Sequence, residues 1–192
     1  MAPLVLAPPS PTGLAFDAEW LLEPPPTVRA AGPRDVGFLS AVAPVADGAA
    51  RDLTGWGRHG DAGVIAFKTA GVPVGAAWYR LYAPAERGDG IVAQAGLPEL
   101  ALAVRPDVRG QEVAGALLAA LIRRARAEGY RRLALTLDPA HPALAFFRHY
   151  RFRETAVGPR LGDARLMIAE IARFDPVGGA GGGAAVAPPQ ND

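Results

Sequence analysis

The chain has 192 residues, 50% of them hydrophobic, and a formal net charge of +1 at pH 7. This length and composition can bury one good core, so one domain is expected, and the near-neutral charge gives no reason to expect nucleic acid as a partner. The absence of cysteine excludes disulfides, thiol catalysis and cysteine zinc sites, and three scattered histidines indicate no metal cluster.

The two ends differ in composition from the middle. Residues 1–26 form a proline-rich leader that we expect to be partly disordered, and residues 175–192 form a Gly/Ala/Pro-rich tail that cannot build a core. The leader lacks a basic segment before its apolar residues, so no secretory signal is predicted. No apolar stretch reaches membrane-spanning length. We therefore expect a cytoplasmic protein with no membrane partner and one domain over residues 27–174.

The first elements of that domain are a strand near Thr27–Ala31 and a helix around Pro33–Val42. A weaker helical stretch is predicted near Gly48–Leu53, before a glycine-rich loop that continues to Asp61. Two strands follow, at Gly63–Thr69 and Val72–Tyr82. A tight turn at residues 70–71 joins them, and a charged, glycine-rich loop fills residues 83–96.

A strand–helix–strand unit follows this loop. Leu100, Leu102 and Val104 alternate with alanine, and Pro106 ends the strand. The next helix has apolar residues at helical spacing, namely Leu117, Leu118, Leu121, Ile122 and Ala125, with Gly129 as its cap. Leu133, Leu135 and Leu137 then mark a second, parallel strand. The unpaired N–H groups and the dipole at the start of this helix favour a phosphate group.

A final strand, Arg165–Phe174, completes a mixed α/β fold with helices on both faces of the sheet. Within this order, the run VRPDVRGQEVAGALL resembles the acetyl-CoA motif of the GNAT superfamily of N-acetyltransferases. Arg109 takes the first place of the motif and Ala114 the last, while Glu112 stands at its middle glycine. Three further segments resemble the family in its own order, namely VRAAGPRDVGFLSAV, GVIAFKTAGVPVGAAWYRLY and ALAFFRHYRF. Together these segments cover about three quarters of the chain.

The resemblance implies a mostly antiparallel sheet with a parallel, splayed central pair. It implies acetyl-CoA as cosubstrate, no metal, and acetyl transfer to the amine of a small molecule or peptide by direct attack in a ternary complex. A homodimer is a further possibility. The cofactor-binding residues it implies are Leu102, Ala103 and Val104 along an exposed strand edge, Arg109, Gly110, Gln111, Glu112, Val113 and Ala114 around the pyrophosphate, and Phe147. A backbone N–H of the strand would polarise the thioester carbonyl.

The resemblance also implies catalytic positions. Glu99 stands where the family often carries a carboxylate and is expected to act as the base, the alternatives being Asp61, His59, or a plain strand end in solvent. Phe147 stands where a tyrosine usually protonates the sulfur, and it has no proton to give. Tyr150, one helical turn along, is the better substitute, unless it is a core aromatic or the thiolate takes its proton from water.

Two further hypotheses concern charge and substrate. Glu112 either turns outward or weakens phosphate binding by repulsion, and its place in a first helical turn favours the outward orientation. Trp56, Asp61 and Trp78 are candidate acceptor-binding residues, although both tryptophans could instead fill the core. An N-acetyltransferase is therefore predicted, and the alternative is a weakened acyl-CoA-binding sensor or scaffold.

Overall fold

The structure, a computed structural model, describes residues 25–68, 71–83, 86, 96–108, 111–155 and 164–172; the side chain of Gln111 is not described. Several predicted features therefore lie outside the described residues. These are most of the leader, the tail, residue 70 of the tight turn, most of the 83–96 loop, and the pair Arg109-Gly110.

Seven strands form a single sheet in the described part of the chain, in the order β1-β2-β3-β4-β5-β7-β6. The strands are β1 Thr27–Ala30, β2 Ala62–Phe67, β3 Pro73–Arg80, β4 Glu99–Val104, β5 Arg132–Leu137, β6 Arg153–Glu154 and β7 Arg165–Glu170. Neighbouring strands pair antiparallel except β4 and β5, which are parallel. This mixed sheet with a parallel central pair confirms the predicted fold class.

The helices are α1 Val36–Val42, α2 Gln111–Ala127 and α3 Leu144–His149, with single 3₁₀ turns at Pro33–Asp35, Ala43–Val45 and Pro106–Val108. None of the described helices is long and apolar enough to cross a membrane. Over the same residues, no group of three or more metal-ligating side chains comes together.

The long helix α2 covers one face of the sheet because its apolar residues recur every three to four positions. Leu117, Leu118 and Leu121 are fully buried against alternate residues of β4 and β5, such as Leu100 and Leu135. Each such leucine contributes about 1.5–3 kcal/mol through its removal from water. Helix α3 adds Phe147 to the same core.

The opposite face of the sheet carries a second core. Leu39 of α1 packs with Trp78 and with alanines of β3 and β4, including Ala101 and Ala103. The pleat of a strand sends successive side chains to opposite faces, so β4 contributes leucines to one core and alanines to the other. Helices therefore lie on both faces, as the sequence predicts.

The helical stretch predicted near Gly48–Leu53 is wrong, because these residues form turns. Gly48 has a φ of +95°, in the left-handed region that favours glycine. The Asp52 carboxylate accepts the Thr54 N–H at 2.9 Å, and Arg51 Nε donates to the Gly48 carbonyl at 2.9 Å. Such local side-chain bonds to the backbone compete with helix formation.

Candidate active site

The candidate site is built on the divergence of the two parallel strands. Glu99 of β4 lies opposite Ala134 of β5, and it is the one residue of β4 in register with β5. The Ala134 N–H donates to the Pro98 carbonyl at 2.9 Å. Beyond this point the strands separate, which exposes backbone groups that a sheet would otherwise pair.

The separation opens a cleft of about 540 Å³. Its wall consists of the end of β4, the first turns of α2 and α3, and two loop segments: Val45, Asp47, Leu102, Ala103, Val104, Ala114, His141, Pro142, Ala143 and Phe146. Most of these residues are apolar, whereas Asp47 and His141 are polar. This combination is typical of small-molecule sites, where a few polar groups fix the orientation of the ligand.

Four of the predicted cofactor-binding residues line this cleft, namely Leu102, Ala103, Val104 and Ala114. In the first turn of α2, Glu112 is exposed, so its charge is well solvated, and Val113 is buried in the core. Phe147 is fully buried in the core, and its neighbour Phe146 lines the cleft in its place.

The edge of β4 is not exposed over its whole length, which corrects the sequence-based expectation. Asp47 forms a bridge with Leu102: its N–H donates to the Leu102 carbonyl at 2.7 Å, and its carbonyl accepts the Leu102 N–H at 3.0 Å. Its neighbour Gly48 lies so close that an added Cβ would be 2.4 Å from the Leu100 carbonyl oxygen. Because alternate residues of a strand direct their backbone groups to the same side, Val104 presents its N–H on this edge beyond Asp47.

Asp47 and His141 are site residues that the sequence reasoning missed. His141 Nε2 lies 3.4 Å from Asp47 Oδ1, and the two side chains are 32% and 26% exposed. The Ala143 N–H donates to His141 Nδ1 at 3.2 Å, so the ring proton belongs on Nε2, facing the carboxylate. The pair therefore connects the segment after α1 to the loop between β5 and α3.

Glu99, the predicted base, is fully buried. Its carboxylate accepts a hydrogen bond of 2.6 Å from the Thr136 hydroxyl, across the two parallel strands. Nearby, burial raises the pKa of the Tyr82 hydroxyl to about 12, and the charge of Glu99 acts in the same direction. The described residues that line the cleft do not include Glu99.

Tyr150, the predicted acid, is half-buried at the end of α3, and burial raises the pKa of its hydroxyl. That oxygen lies against α2, 2.6 Å from where a Cβ on Gly115 would be. Tyr150 also contacts Phe146, with ring centroids 4.9 Å apart. The described part of the cleft wall includes Phe146 and not Tyr150.

Two of the three predicted acceptor-binding residues lie in the interior. Trp78 is fully buried and donates from Nε1 to the Ala50 carbonyl at 2.6 Å. The Asp61 side chain is likewise buried and pairs with Arg80 at 3.0 Å. Trp56 is partly buried against the same core, with the Arg80 guanidinium 5.9 Å from its ring centroid. The assignment of Trp78 and Asp61 to an open acceptor pocket is therefore wrong, and both are structural.

Known proteins share this architecture. The chain is similar to a ribosomal-protein-alanine N-acetyltransferase from Brucella melitensis, with 23% identity over 74% of this chain and 96% of the other, and a TM-score of 0.54. It is also similar to an N-acetyltransferase from Staphylococcus aureus Mu50, with 20% identity over 76% and 98% and a TM-score of 0.57. A GNAT superfamily phosphinothricin acetyltransferase from Sinorhizobium meliloti, in complex with acetyl-CoA, shows 22% identity over 77% and 89% and a TM-score of 0.57.

These likenesses concern the fold, and a comparison with curated proteins found no match. The family model described as acetyltransferase (GNAT) family matches residues 20–152, which include the diverging strands and both helices that border the cleft. The chain therefore belongs to the GNAT acetyltransferase family.

Proposed function

We propose that the protein is an N-acetyltransferase that moves an acetyl group from acetyl-CoA to the amine of a small molecule or peptide by direct attack. The observation that carries this proposal is the cleft beside the end of β4, where this strand has diverged from β5, with the first turn of α2 in its wall. Such a cleft offers a strand edge for an amide-containing arm and a helix N-terminus for phosphate.

The first turn of α2 supplies the phosphate-binding groups in this proposal. The helix is 17 residues long, so its dipole is well developed, and the N–H groups of Gln111, Glu112 and Val113 have no carbonyl partner within the helix. The exposed Glu112 side chain interacts with a nearby phosphate through water, where charges 5 Å apart repel by only about 1 kcal/mol. The helix N-terminus is therefore able to hold a diphosphate despite this carboxylate.

The strand edge at Val104 supplies the second contact. Leu102 is already paired with Asp47, so the acyl-pantetheine arm pairs with β4 beyond this bridge, where Val104 and Ala103 line the cleft. A backbone N–H aimed at the thioester carbonyl stabilises the negative charge that develops there during attack. The thiolate then leaves without an enzymic acid, since a thiol pKa near ~8.5 makes it a good leaving group.

Release of free thiol from acetyl-CoA tests this function. The full chain is incubated with acetyl-CoA and a panel of amines that includes polyamines, arylalkylamines and peptides with free N-termini, and thiol is measured continuously. Amine-dependent release above the no-enzyme rate is the expected result. Absence of release with every amine, at enzyme concentrations where acetyl-CoA binds, would exclude the transferase.

A binding module that holds acyl-CoA without transferring the acyl group is the second candidate. Two observations favour it: Phe147 has no hydroxyl at the place where the family usually has a tyrosine, and Glu99 is buried. Thermal stabilisation by CoA distinguishes this candidate from a chain that has lost its ligand, because only a ligand selective for the folded state raises the unfolding temperature. Stabilisation without thiol release would favour the module.

A further inference from the structure

We infer that Asp47 binds the ammonium group of the acceptor and takes its proton as the new bond forms, with His141 as the residue that positions the carboxylate. This inference rests on the proposed transferase function and assigns the base of that reaction. It replaces the buried Glu99 by a carboxylate that lines the cleft.

The charge of the cleft wall favours this role. Among the described residues of its wall, Asp47 is the acidic one, and the same wall is otherwise mostly apolar, with Val45, Leu102, Val104 and Phe146 among its residues. A carboxylate beside apolar walls interacts with a cation more strongly than it would in open solvent. The Asp47 carboxylate therefore favours an acceptor that is protonated at neutral pH, such as an alkylamine, over a neutral acceptor.

Asp47 is also held in place through its backbone and its side chain. Both backbone hydrogen-bonding groups of Asp47 are fixed to Leu102, at 2.7 and 3.0 Å, in the stretch of β4 that borders the proposed acyl site. The side chain is held in turn by His141, whose Nε2 lies 3.4 Å from Oδ1. Because the Ala143 N–H bonds to Nδ1 of His141, that ring presents a donor to the carboxylate and not an acceptor.

Each proton and electron pair has a destination in the proposed step. The ammonium transfers one proton to the Asp47 carboxylate while its nitrogen forms a bond to the thioester carbon. The C–S bond then breaks, and the electron pair leaves with sulfur as the thiolate. The second proton on nitrogen passes to the thiolate through water, which gives the amide and free CoA, and Asp47 returns its proton to solvent.

The test compares two classes of acceptor in one variant. Asp47→Asn keeps the size of the side chain and an oxygen for His141, and it leaves the bridge to Leu102 intact. With alkylamines we expect kcat/KM to fall roughly 10²–10⁴-fold, the range of general base catalysis. With an O-alkylhydroxylamine or an aromatic amine, which are uncharged at neutral pH, the fall should be much smaller. Binding of CoA, measured by thermal stabilisation, should change less than threefold.

Two further variants complete the experiment. Asp52→Asn changes an exposed carboxylate in the same segment, outside the described cleft wall, and should retain wild-type kinetics. His141→Asn retains an acceptor for the Ala143 N–H and removes the contact with Asp47, so kcat should fall less than in Asp47→Asn, with no change in unfolding temperature.

The outcomes separate the two proposals. If the wild-type protein releases no thiol with any amine, the transferase itself is excluded. If the wild type is active and Asp47→Asn is equally active, or loses the same factor with charged and uncharged amines, the transferase stands and the role of Asp47 is wrong.

Discussion

The buried ion pair between Asp61 and Arg80 should contribute strongly to the stability of the fold. The two side chains are 0% and 2% exposed. Arg80 holds the carboxylate with two bonds, Nε to Oδ1 at 3.0 Å and Nη2 to Oδ2 at 3.2 Å. It also donates to the carbonyls of Asp52 and Thr54, so it connects the loop before β2 to the segment after α1.

Replacing either partner leaves the other charge in the interior. Removal of one member of a buried pair typically costs about 3–5 kcal/mol, because the remaining charge has lost its water without compensation. We expect this loss for Arg80→Met and for Asp61→Asn. In a domain of this size, each kcal/mol lowers the unfolding temperature by roughly 2–4 °C, so a decrease of roughly 6–20 °C is predicted.

Thermal and urea unfolding of the purified variants measure this loss. Asp107→Asn is the matched control, since its pair with Arg105 is exposed, at 57% and 42%, and should contribute less than about 1 kcal/mol. An unfolding temperature for Asp61→Asn equal to that of the wild type, together with a raised KM for the amine, would refute the reasoning and restore Asp61 as an acceptor-binding residue.

Two further changes probe packing and charge elsewhere. Gly115→Ala places a Cβ 2.6 Å from the Tyr150 hydroxyl oxygen, a clash that should cost about 1–3 kcal/mol, against about 1 kcal/mol gained from the higher helix propensity of alanine. Urea unfolding should therefore show a net loss of up to about 2 kcal/mol, and a second change, Tyr150→Phe, should make the Gly115→Ala variant more stable; no recovery would show that the clash lies elsewhere. The Arg29 guanidinium and then the Gly32 N–H lower the pKa of Asp35 from 3.8 to about 2. The ionised Asp35 carboxylate therefore stabilises the fold fully at a pH above its unfolded-state pKa, and this stabilisation is lost as the pH falls through its folded-state pKa. Because Arg29 is half exposed, Asp35→Asn should lower the free energy of unfolding by only about 1 kcal/mol at neutral pH. The difference in this free energy between variant and wild type should disappear as the pH falls from about 4 to about 2. A difference that stays constant over this range would show that the charge of Asp35 is irrelevant.

The sequence predicted those strands and helices in which apolar residues recur at regular spacing. The alternation of Leu100, Leu102 and Val104 and the helical spacing from Leu117 to Ala125 each involve many residues, so a single exception does not obscure the pattern. The parallel pairing of β4 and β5 follows from the helix between them. The strand and helix limits agree with the structure at Thr27, Val42 and Arg165 and elsewhere differ by up to four residues, because the last turn or pair of an element depends on its neighbours.

The pairing of Asp61 with Arg80 could not be predicted in the same way. Asp61 follows a loop of glycines and charges, which is typical of an exposed acceptor loop. It is buried because β2 and β3 pair with Ala62 opposite Tyr79, which brings the residue before β2 beside the end of β3. The residues next to Asp61 and Arg80 in the sequence do not indicate this pairing register of the two strands.

Asp47 and His141 were missed for a related reason. They are distant in the chain and belong to no regular element, and their contact depends on how far β4 and β5 have separated. A signal was present only for His141, which precedes Ala143 and α3 by the spacing of a local side-chain bond to the backbone. No comparable pattern marks Asp47, since its bridge to Leu102 is made by backbone atoms.

The geometry of β4 explains why a carboxylate on this strand is poorly placed for the proposed chemistry. Glu99 and Val104 are five residues apart, and a strand rises about 3.3 Å per residue, so roughly 16 Å separate them along the chain. The parity of the pleat directs Glu99 to the face of Ala101 and Ala103, where it meets Thr136 in the interior. Asp47 is paired with Leu102, only two residues or about 7 Å before Val104. Among the described residues, the segment that pairs with Leu102 therefore brings a carboxylate nearer to an amine at the Val104 end than β4 itself does.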